Sequence, residues 1–361
     1  MKILQVITSM HIGGAEKLIT EIAPLLRNKG YEVDVLLFDG TNTAFKEVLK
    51  NAGIKILEFS HGGSVYNPLY IVRLISLLRK YDIIHTHNTA PQLFVAVSSM
   101  LCSVVLVTTE HTTSNRRRGW KWYRLIDRWM YNRYRSIICI SDAAEENLKK
   151  YLGKCHAHVI TIYNGISISH FINAEPEETL RLQAASRFVV VMVAGFRYQK
   201  DQDTLIKAFE FLPKNKYELW LVGDGERRDV LEQMVEERDL KDNVRFLGVR
   251  NDIPQILKAA DIVVMSSHFE GLSLSSIEGM AVGKPFLASE VDGLKEITID
   301  AGVLFAHGDA QQLAKEIVLL MSDEEYYRTV ADKCLERAEK YDISKMVDEY
   351  EKEYKTLVNS H

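Results

Sequence analysis

The sequence predicts two α/β domains in tandem, each built on a doubly wound parallel sheet. Short apolar, β-branched runs alternate with longer amphipathic segments along all 361 residues, a pattern typical of parallel strands covered by helices on both faces. A polar stretch at 164–186 contains Pro176 and no strong β run, and it separates two such series. The length also suits two domains of ordinary size.

The predicted strands are the β-branched runs of each series. They lie at 2–8, 32–38, 54–59, 82–87, 104–109, 136–141 and 158–164, and then at 187–194, 217–223, 243–248, 261–267 and 284–289. The chain ends in a predicted amphipathic helix at 341–361, because apolar residues recur there at helical spacing. We place the boundary between the two domains at 168/169.

Composition restricts the class of protein. The chain is 47% hydrophobic and 26% charged with a net charge of −4, which is globular and argues against a general nucleic-acid partner. Its four cysteines lie far apart without a CxxC pair, so we expect free thiols and a cytoplasmic location. The apolar run at the N-terminus is short and lacks a cleavage site, which predicts a strand and not a signal peptide.

Ligands of doubly wound sheets bind beyond the carboxyl ends of the strands, so the loops there are the candidate sites, and two such domains would form a cleft. Gly13 and Gly14 follow the first strand and permit a close backbone approach before a helix whose amides attract anions. A dinucleotide-type G-x-G-x-x-G is missing, and a plain tight turn is the alternative. His111 follows the strand at 104–109 and is either functional or a structural donor.

Three residues of the second series follow its first strand: Gly195, Arg197 and Lys200. The two cations could neutralise a diphosphate leaving group, or they are solvated charges. Next come Asp201 and Asp203 in "DQD", which we interpret as a helix N-cap and a first-turn carboxylate and not as a metal motif. The later loops that contain Gly223 and Val249 carry backbone groups able to read a base edge.

The stretch "FEGLSLSSIEGMAVGKP" at 269–285 places one carboxylate in a loop and a second in a helix. Ser273 is the predicted N-cap, and Glu278 lies roughly 7–8 Å along the helix that follows. Glu270 and Glu278 therefore should not share a proton. We expect them to accept hydrogen bonds from hydroxyls, while the helix N-terminus holds phosphate. The candidate residues at that terminus are Gly271, Leu272, Ser273 and Leu274.

Six motifs in this order resemble those of the retaining glycosyltransferases of family 4, which have the GT-B fold of two facing Rossmann-like domains. They are "GGAE" (13–16), "TEH" (109–111), "CISDAAEENL" (139–148), "IYNGI" (162–166), "QKDQDTLIKAF" (199–209) and the E-x7-E pair followed by "GKPFLASEVDG" (283–293). The resemblance covers the whole chain. It implies an N-terminal acceptor-side domain at 1–168 completed by the helix 341–361, and a nucleotide-sugar domain at 169–340.

The resemblance implies retaining transfer of a hexose from a UDP- or GDP-sugar to a hydroxyl acceptor, in surface polysaccharide or lipid-linked glycan synthesis. It also implies a role for each matching residue. Gly14 would lie beside the donor phosphates, and His111 would face the sugar. Lys200 and an arginine would bind the diphosphate, together with the amides of 271–274. Glu270 would bind sugar hydroxyls, and Glu278 would bind the ribose.

The chain departs from the family pattern at one important position. Gly195 stands where the family commonly has an arginine, and Arg197 is the candidate replacement. Ser167 likewise stands where an aspartate is common. No metal or other cofactor is expected, because two cations and a helix dipole would stabilise the diphosphate. His85-Thr86-His87 and the 155–158 "CHAH" have metal-like spacings, but no third ligand is evident for either.

Residues 116–135 combine many Lys and Arg side chains with Trp and Tyr. This composition suits peripheral contact with the inner face of a membrane or with an anionic lipid-linked acceptor. An amphipathic helix with core aromatics and solvated cations is the alternative. For the whole chain, the competing functions are a non-catalytic sugar-nucleotide binding protein, a sugar-nucleotide 2-epimerase and, less well supported, a nicotinamide oxidoreductase.

Overall fold

The structure, a computed structural model, describes residues 1–11, 13–111, 123–271 and 273–360. The chain forms two compact units. The first comprises residues 1–164 and 343–361, and the second comprises residues 165–342. The boundaries predicted from the sequence, 168/169 and 340/341, lie four residues after the first of the observed boundaries and two residues before the second.

The first unit contains a seven-stranded sheet in the order β3-β2-β1-β4-β5-β6-β7, with every pairing parallel. Its strands are β1 (Lys2–Ile7), β2 (Glu32–Asp39), β3 (Lys55–Ser60), β4 (Ile83–His87), β5 (Val105–Glu110), β6 (Ser136–Cys139) and β7 (His158–Thr161). Its described helices are α1 (Gly14–Asn28), α2 (Ala44–Asn51), α3 (Leu69–Leu78), α4 (Thr89–Ser98), α5 (Tyr123–Tyr131), α6 (Asp142–Leu152) and α16 (Ile343–Asn359).

Helix α16 completes the core of the first unit. The five residues at helical spacing are all buried: Ile343, Met346, Val347, Tyr350 and Tyr354. They pack with the apolar faces of β1 and α1 in one cluster. The last helix therefore belongs to the core of the first sheet, although it lies at the far end of the sequence.

The second unit contains a six-stranded parallel sheet in the order β10-β9-β8-β11-β12-β13. Its strands are β8 (Phe188–Val193), β9 (Tyr217–Val222), β10 (Val244–Gly248), β11 (Ile262–Met265), β12 (Phe286–Ser289) and β13 (Val303–Phe305). The last of these is missing from the prediction because it has only three residues, too few for a periodic signal.

The helices of the second unit cover both faces of this sheet. They are α7 (Ile168–Ile172), α8 (Glu178–Gln183), α9 (Gln202–Ala208), α10 (Arg228–Glu237), α11 (Ile253–Ala259), α12 (Leu274–Ala281), α13 (Lys295–Thr298), α14 (Ala310–Ser322) and α15 (Glu324–Glu339). Trp220, on β9, is fully buried in its core. None of the helices in the described ranges is both long and apolar enough to cross a membrane.

Each sheet reverses its strand order once, between β1 and β4 in the first and between β8 and β11 in the second. At such a switch point the two neighbouring loops leave the sheet in opposite directions and open a crevice between them. The predicted doubly wound parallel sheets are confirmed, and their switch points locate the candidate sites.

Candidate functional site

The switch point of the second sheet brings Lys200 and Glu270 together. Lys200 ends a short 3-10 turn after β8, and Glu270 lies in the loop after β11. Lys200 Nζ lies 2.5 Å from Glu270 Oε1. The two side chains are 20% and 6% exposed, so the pair is a largely desolvated ion pair, and removing either member leaves the other charge uncompensated.

Two further side chains hold the Glu270 carboxylate. Ser267 Oγ donates to Oε1 at 2.7 Å, and Gln199 Nε2 donates to Oε2 at 3.4 Å. The carboxylate is thereby oriented from both of its oxygens. Sequence reasoning missed Ser267 and Gln199, although both stand within three residues of predicted site residues.

Arg197 lies over Gly195. A Cβ placed on Gly195 would be 3.9 Å from Arg197 Nε and 3.8 Å from the carbonyl oxygen of Asp224. The Arg197 residue is exposed, and its guanidinium makes no ion pair within the ranges that the structure describes. Arg197, without an ion-pair partner in the described ranges, therefore lies next to Gly195, where the resemblance leads us to expect an arginine.

Helix α12 begins as predicted. Ser273 Oγ accepts a hydrogen bond from the amide of Ser276 at 3.3 Å, which confirms Ser273 as the N-cap. Gly271 is exposed, with open space where a Cβ would lie. Leu274 is the first helical residue and Glu278 the fifth, half-buried. Leu272 lies outside the described residues.

The position of the Glu270 loop requires a glycine at position 293, in the "EVDG" segment. Its φ is +82°, and a Cβ there would lie 2.4 Å from the carbonyl oxygens of both Glu270 and Gly271. Any side chain would push that loop away from its present position. The amide of Glu270 donates to the Asp292 carbonyl at 3.3 Å, which joins the same two loops.

The predicted base-reading loops are joined to each other. The Gly223 amide donates to the Gly248 carbonyl at 2.8 Å, and Gly223 has a φ of +132° with the Ala194 carbonyl oxygen 2.1 Å from where its Cβ would lie. Only glycine fits that approach between the loops after β8 and β9. Val249 is exposed at the edge of this group.

The "DQD" residues behave as capping and pairing groups. Asp201 Oδ1 accepts from the amide of Thr204 at 3.3 Å at the start of α9, which confirms the N-cap interpretation. Asp203 forms a two-point ion pair with Arg227, with distances of 2.5 and 2.9 Å. Burial alone would raise the pKa of Asp203, but Arg227 outweighs it and the pKa is lowered.

In the first unit, the Glu16 carboxylate lies against Gly13, next to the N-terminus of α1. A Cβ on Gly13 would lie 2.2 Å from Glu16 Oε2, and Asn88 Nδ2 donates to Glu16 Oε1 at 3.4 Å. Gly14, the first residue of α1, is exposed with open space around it. The Glu16 side chain therefore fills the space beside Gly13 and leaves the space beside Gly14 open.

His111 is half-buried and hydrogen-bonded to a second histidine. Its Nε2 lies 2.9 Å from Nδ1 of His87, the last residue of β4. His87 Nε2 lies 2.8 Å from Gln5 Oε1, which can only accept. With the proton of His87 on Nε2, its Nδ1 accepts from His111 Nε2–H. Nδ1 of His111 then carries a lone pair that no residue in the described ranges engages.

The second histidine of β4 belongs to the same buried network. His85 Nδ1 lies 2.5 Å from Tyr354 Oη, and its Nε2 lies 2.7 Å from Thr109 Oγ1. Burial lowers the pKa of His85 to about 3 and that of His111 to about 4, and it holds the pKa of His87 well below its usual value. All three imidazoles are therefore neutral near pH 7.

Sequence reasoning singled out His111 but missed the residues that orient it. The alternation at His85-Thr86-His87 was visible as a metal-like spacing, yet His87 contacts His111 and Gln5 instead. Neither this spacing nor the one at 155–158 belongs to a three-ligand group within the described residues. The sequence does carry one signal for this contact. His111 follows the carboxyl end of a buried strand, and the preceding strand ends in His87.

The described part of the 116–135 segment divides between core and surface. Tyr131 and Tyr134 are buried, and their hydroxyls donate to Glu110 Oε1 at 2.7 Å and to the Gln92 carbonyl at 2.8 Å. Leu125, by contrast, is 74% exposed, and Ile126 and Trp129 are also exposed. Residues 116–122 lie outside the described ranges.

Comparison with known proteins matches two family models to this chain. The Glycosyltransferase Family 4 model matches residues 12–170, and the model of Glycosyl transferases group 1 matches residues 179–340. N-acetyl-alpha-D-glucosaminyl L-malate synthase of Bacillus anthracis is 24% identical over 95% of this chain and 94% of its own length. UDP-Gal:alpha-D-GlcNAc-diphosphoundecaprenol alpha-1,3-galactosyltransferase of Escherichia coli is 29% identical over 62% of each chain.

Among solved structures, Anabaena Alr3699/HepE in complex with UDP superposes with a TM-score of 0.82. It is 26% identical and covers 99% of this chain and 100% of its own. The same protein has been solved with UDP-glucose, with a TM-score of 0.78. Since the two family models between them span most of the chain, the protein belongs to the glycosyltransferases, with a family 4 region followed by a group 1 region, and it has the GT-B fold.

Proposed function

We propose that the protein transfers a sugar from a nucleotide diphosphate sugar to a hydroxyl group of a glycan or lipid-linked acceptor, with retention at the anomeric carbon. The observation that carries the proposal is the Lys200–Glu270 pair at the switch point of the second sheet. A cation for a diphosphate and a carboxylate for sugar hydroxyls stand side by side there, 2.5 Å apart.

Donor binding would exchange the partners of this pair. Glu270 neutralises Lys200 in the structure. A donor diphosphate would take the ammonium, and the released carboxylate, still held by Ser267 and Gln199, would accept hydrogen bonds from sugar hydroxyls. The ion pair would then keep both groups ordered and desolvated until the donor arrives.

Leaving-group stabilisation would come from three sources in the same unit. Arg197 is exposed and unpaired among the described residues, Lys200 is close to it in sequence, and the N-terminus of α12 presents the amides that follow Gly271. Charge developing on the departing diphosphate would be stabilised by these groups without a divalent metal. Glu278, further along α12, would bind the ribose.

His111 would act as a neutral hydrogen-bonding group and not as a cation. Its pKa of about 4 keeps it uncharged at neutral pH, and its Nδ1 lone pair is oriented by the contact with His87. We propose that His111 accepts a hydrogen bond from a substrate hydroxyl. The departing phosphate would take the acceptor proton.

Uracil is the proposed base of the donor, because HepE, at 26% identity, has been solved with UDP and with UDP-glucose. Surface polysaccharide or lipid-linked glycan assembly is the proposed setting, in line with the undecaprenol-linked acceptor in the name of the E. coli relative.

The test is nucleotide release from a panel of UDP-, GDP- and ADP-sugars with a mixture of glycan and lipid-linked acceptors. We expect UDP release from one UDP-sugar, and NMR of the product should show the anomeric configuration of the donor. Tight binding of a sugar nucleotide without release would indicate a binding protein. Conversion to a 2-epimer would indicate an epimerase.

We further propose that α5 contacts an anionic membrane surface from the cytoplasmic side. Leu125, Ile126 and Trp129 are exposed apolar residues on this helix, and Arg124 and Arg128 beside them are also exposed. Apolar side chains that enter the headgroup region next to cations suit an interfacial helix.

Flotation with vesicles tests this surface. Leu125→Glu should reduce binding to vesicles that contain phosphatidylglycerol. Leu182→Glu is the matched control, since Leu182 on α8 is 78% exposed and should tolerate the change. Equal flotation of both variants, or binding that does not depend on anionic lipid, would contradict the proposal.

A further inference from the structure

Three loops of the second unit bring together an acidic side chain and two histidines that the proposed function does not use. Asp201 precedes α9, His268 follows β11, and His307 follows β13. Because β8, β11 and β13 are strands of one parallel sheet, their loops emerge from the same edge. Residues separated by as many as 106 positions therefore meet at one place.

The ligand atoms of this trio are closely grouped. One nitrogen of each histidine and one carboxylate oxygen of Asp201 lie within 4.8 Å of one another. His268 Nδ1 is 2.7 Å from His307 Nε2, and His268 Nε2 is 3.8 Å from Asp201 Oδ1. The His268 ring is further held by Tyr198, with ring centroids 4.5 Å apart.

The Asp201 carboxylate has an oxygen that can still accept a hydrogen bond or bind a cation. The residue is 2% exposed, and its Oδ1 caps α9 through the amide of Thr204. Its buried Oδ2 accepts no hydrogen bond from any residue in the described ranges. A buried carboxylate oxygen without a partner costs free energy, and a bound cation would offset that cost.

The backbone around Asp201 is fixed by more than the cap. Asp201 has a φ of +44°, in the left-handed region that non-glycine residues seldom adopt. Its carbonyl oxygen accepts from Ser266 Oγ at 2.9 Å, which joins it to the end of β11. The carboxylate is therefore held near His268 by the fold, before any ion is bound.

Two imidazoles and one carboxylate form a ligand set that suits zinc and its neighbours in the first transition series. Zinc binds nitrogen at about 2.0–2.1 Å and carboxylate oxygen at about 2.0–2.2 Å in a tetrahedron. Ligand atoms then lie roughly 3.3–3.5 Å apart. Since His307 is exposed and His268 is 22% exposed, small rotations of these rings supply the adjustment and leave the ion reachable from solvent.

We propose that Asp201, His268 and His307 bind one divalent transition-metal ion, zinc by preference, with the fourth position open to water. The ion would tie together the loops after β8, β11 and β13. Two of its ligands are close in sequence to the Lys200–Glu270 pair, so it would stiffen the loops that hold that pair. The site does not depend on the proposed function, because none of its ligands belongs to the proposed donor-binding set.

The experiment measures metal binding to the full chain. Protein stripped with a chelator is dialysed against buffered Zn²⁺ and then freed of excess metal, and zinc per chain is measured by mass spectrometry. Affinity is measured by competition with a chelating dye. Visible absorption of the Co²⁺ form reports whether the site is tetrahedral.

We expect one zinc per chain, tetrahedral cobalt bands and at least tenfold weaker binding by His307→Gln and by His268→Gln. His307 is exposed, so its variant should keep the wild-type melting temperature without metal. His170→Gln is the matched control, since His170 is exposed in the same unit, and it should bind zinc like wild type. Failure of the wild-type chain to retain zinc would overturn the proposal, as would wild-type affinity in His307→Gln and His268→Gln.

Discussion

At the scale of single residues, Lys200 and Glu270 each have a partner before any ligand is present. Their pairing means that a substitution at one changes the charge that the other presents. Lys200 without Glu270 is a free cation, and Glu270 without Lys200 is a largely buried anion. The two variants should therefore differ in their effects on nucleotide binding.

The first prediction is that substitutions of Lys200 and of Glu270 affect UDP binding and sugar transfer differently. Lys200→Ala should weaken UDP binding by about 10- to 100-fold, since a hydrogen bond between charged groups contributes about 1.5–3 kcal/mol. Glu270→Gln should leave UDP binding unchanged or tighter but abolish most sugar transfer. Isothermal titration with UDP, together with nucleotide-release rates, measures both effects.

Lys207→Ala is the control for this prediction, because Lys207 is an exposed lysine on the neighbouring helix α9. It should bind UDP as wild type does. A Glu270→Gln variant with lower UDP affinity and normal turnover would reverse the expected pattern and remove the assigned roles.

The second prediction concerns the position of the arginine. Arg197→Gly should weaken UDP binding about tenfold or more, by the same charge argument. Adding Gly195→Arg should restore much of it, because Gly195 has no restrictive φ and the atoms nearest to a Cβ at this position lie 3.8–3.9 Å away. UDP titration of wild type, the single variant and the double variant is the measurement. No loss in the single variant would show that Arg197 does not serve the diphosphate.

At the scale of elements, β4 and α16 form a polar layer inside the first unit. His85 and His87 lie on a fully buried strand, and Tyr350 and Tyr354 approach them from α16. Burial raises the pKa of Tyr350 to about 12, so tyrosines and histidines alike are neutral. The layer is stable only while those imidazoles remain uncharged.

The third prediction is loss of stability in mild acid. The unfolded chain protonates these histidines below about pH 6.5, whereas the folded chain holds His111 neutral to about pH 4 and His85 to about pH 3. The unfolded state then binds more protons, so the free energy of unfolding falls as pH falls. Each histidine contributes up to about 1.4 kcal/mol per pH unit.

Urea unfolding between pH 7 and pH 5 measures this slope, above the range where carboxylates titrate. His111→Gln should remove about one third of the change in unfolding free energy with pH, because it removes one of the three titrating histidines. The glutamine amide can still donate to His87. His156→Gln, at an exposed position, should leave the slope unchanged. Stability independent of pH in this range would contradict the prediction.

At the scale of the whole molecule, the chain has two units with separate cores. The first is closed by α16, whose five buried side chains contribute on the order of 10 kcal/mol by burial of apolar surface. That is comparable to the entire stability of an ordinary domain. The second unit is continuous in sequence and carries Lys200, Arg197, Glu270 and the α12 N-terminus.

The fourth prediction follows from that division. A fragment of residues 165–342 should fold alone and bind UDP, with Lys200→Ala again weakening the binding. Residues 1–164 should fold only when 343–361 are supplied, because the core is otherwise left open. Dispersed amide NMR spectra and UDP titration measure these outcomes. A folded 1–164 fragment would show that α16 is dispensable for the first core.

The sequence by itself determined the alternation of strands and helices, the loops that hold the candidate residues, and the N-caps at Asp201 and Ser273. These are local properties, because strand and helix periodicities and capping each involve residues within a few positions. It did not predict β13, whose three residues are too short for any period to show.

Only the tertiary structure decided which of the candidate side chains meet. Lys200 and Glu270 are 70 positions apart, and His87 and His111 are 24 apart. Their contacts depend on strand order, on register and on the rotamers that packing allows, and none of these is encoded in a short window of sequence. The same reason hid the meeting of Asp201, His268 and His307. Asp201 is recognisable in the sequence only as an N-cap, and neither histidine stands out within its own loop.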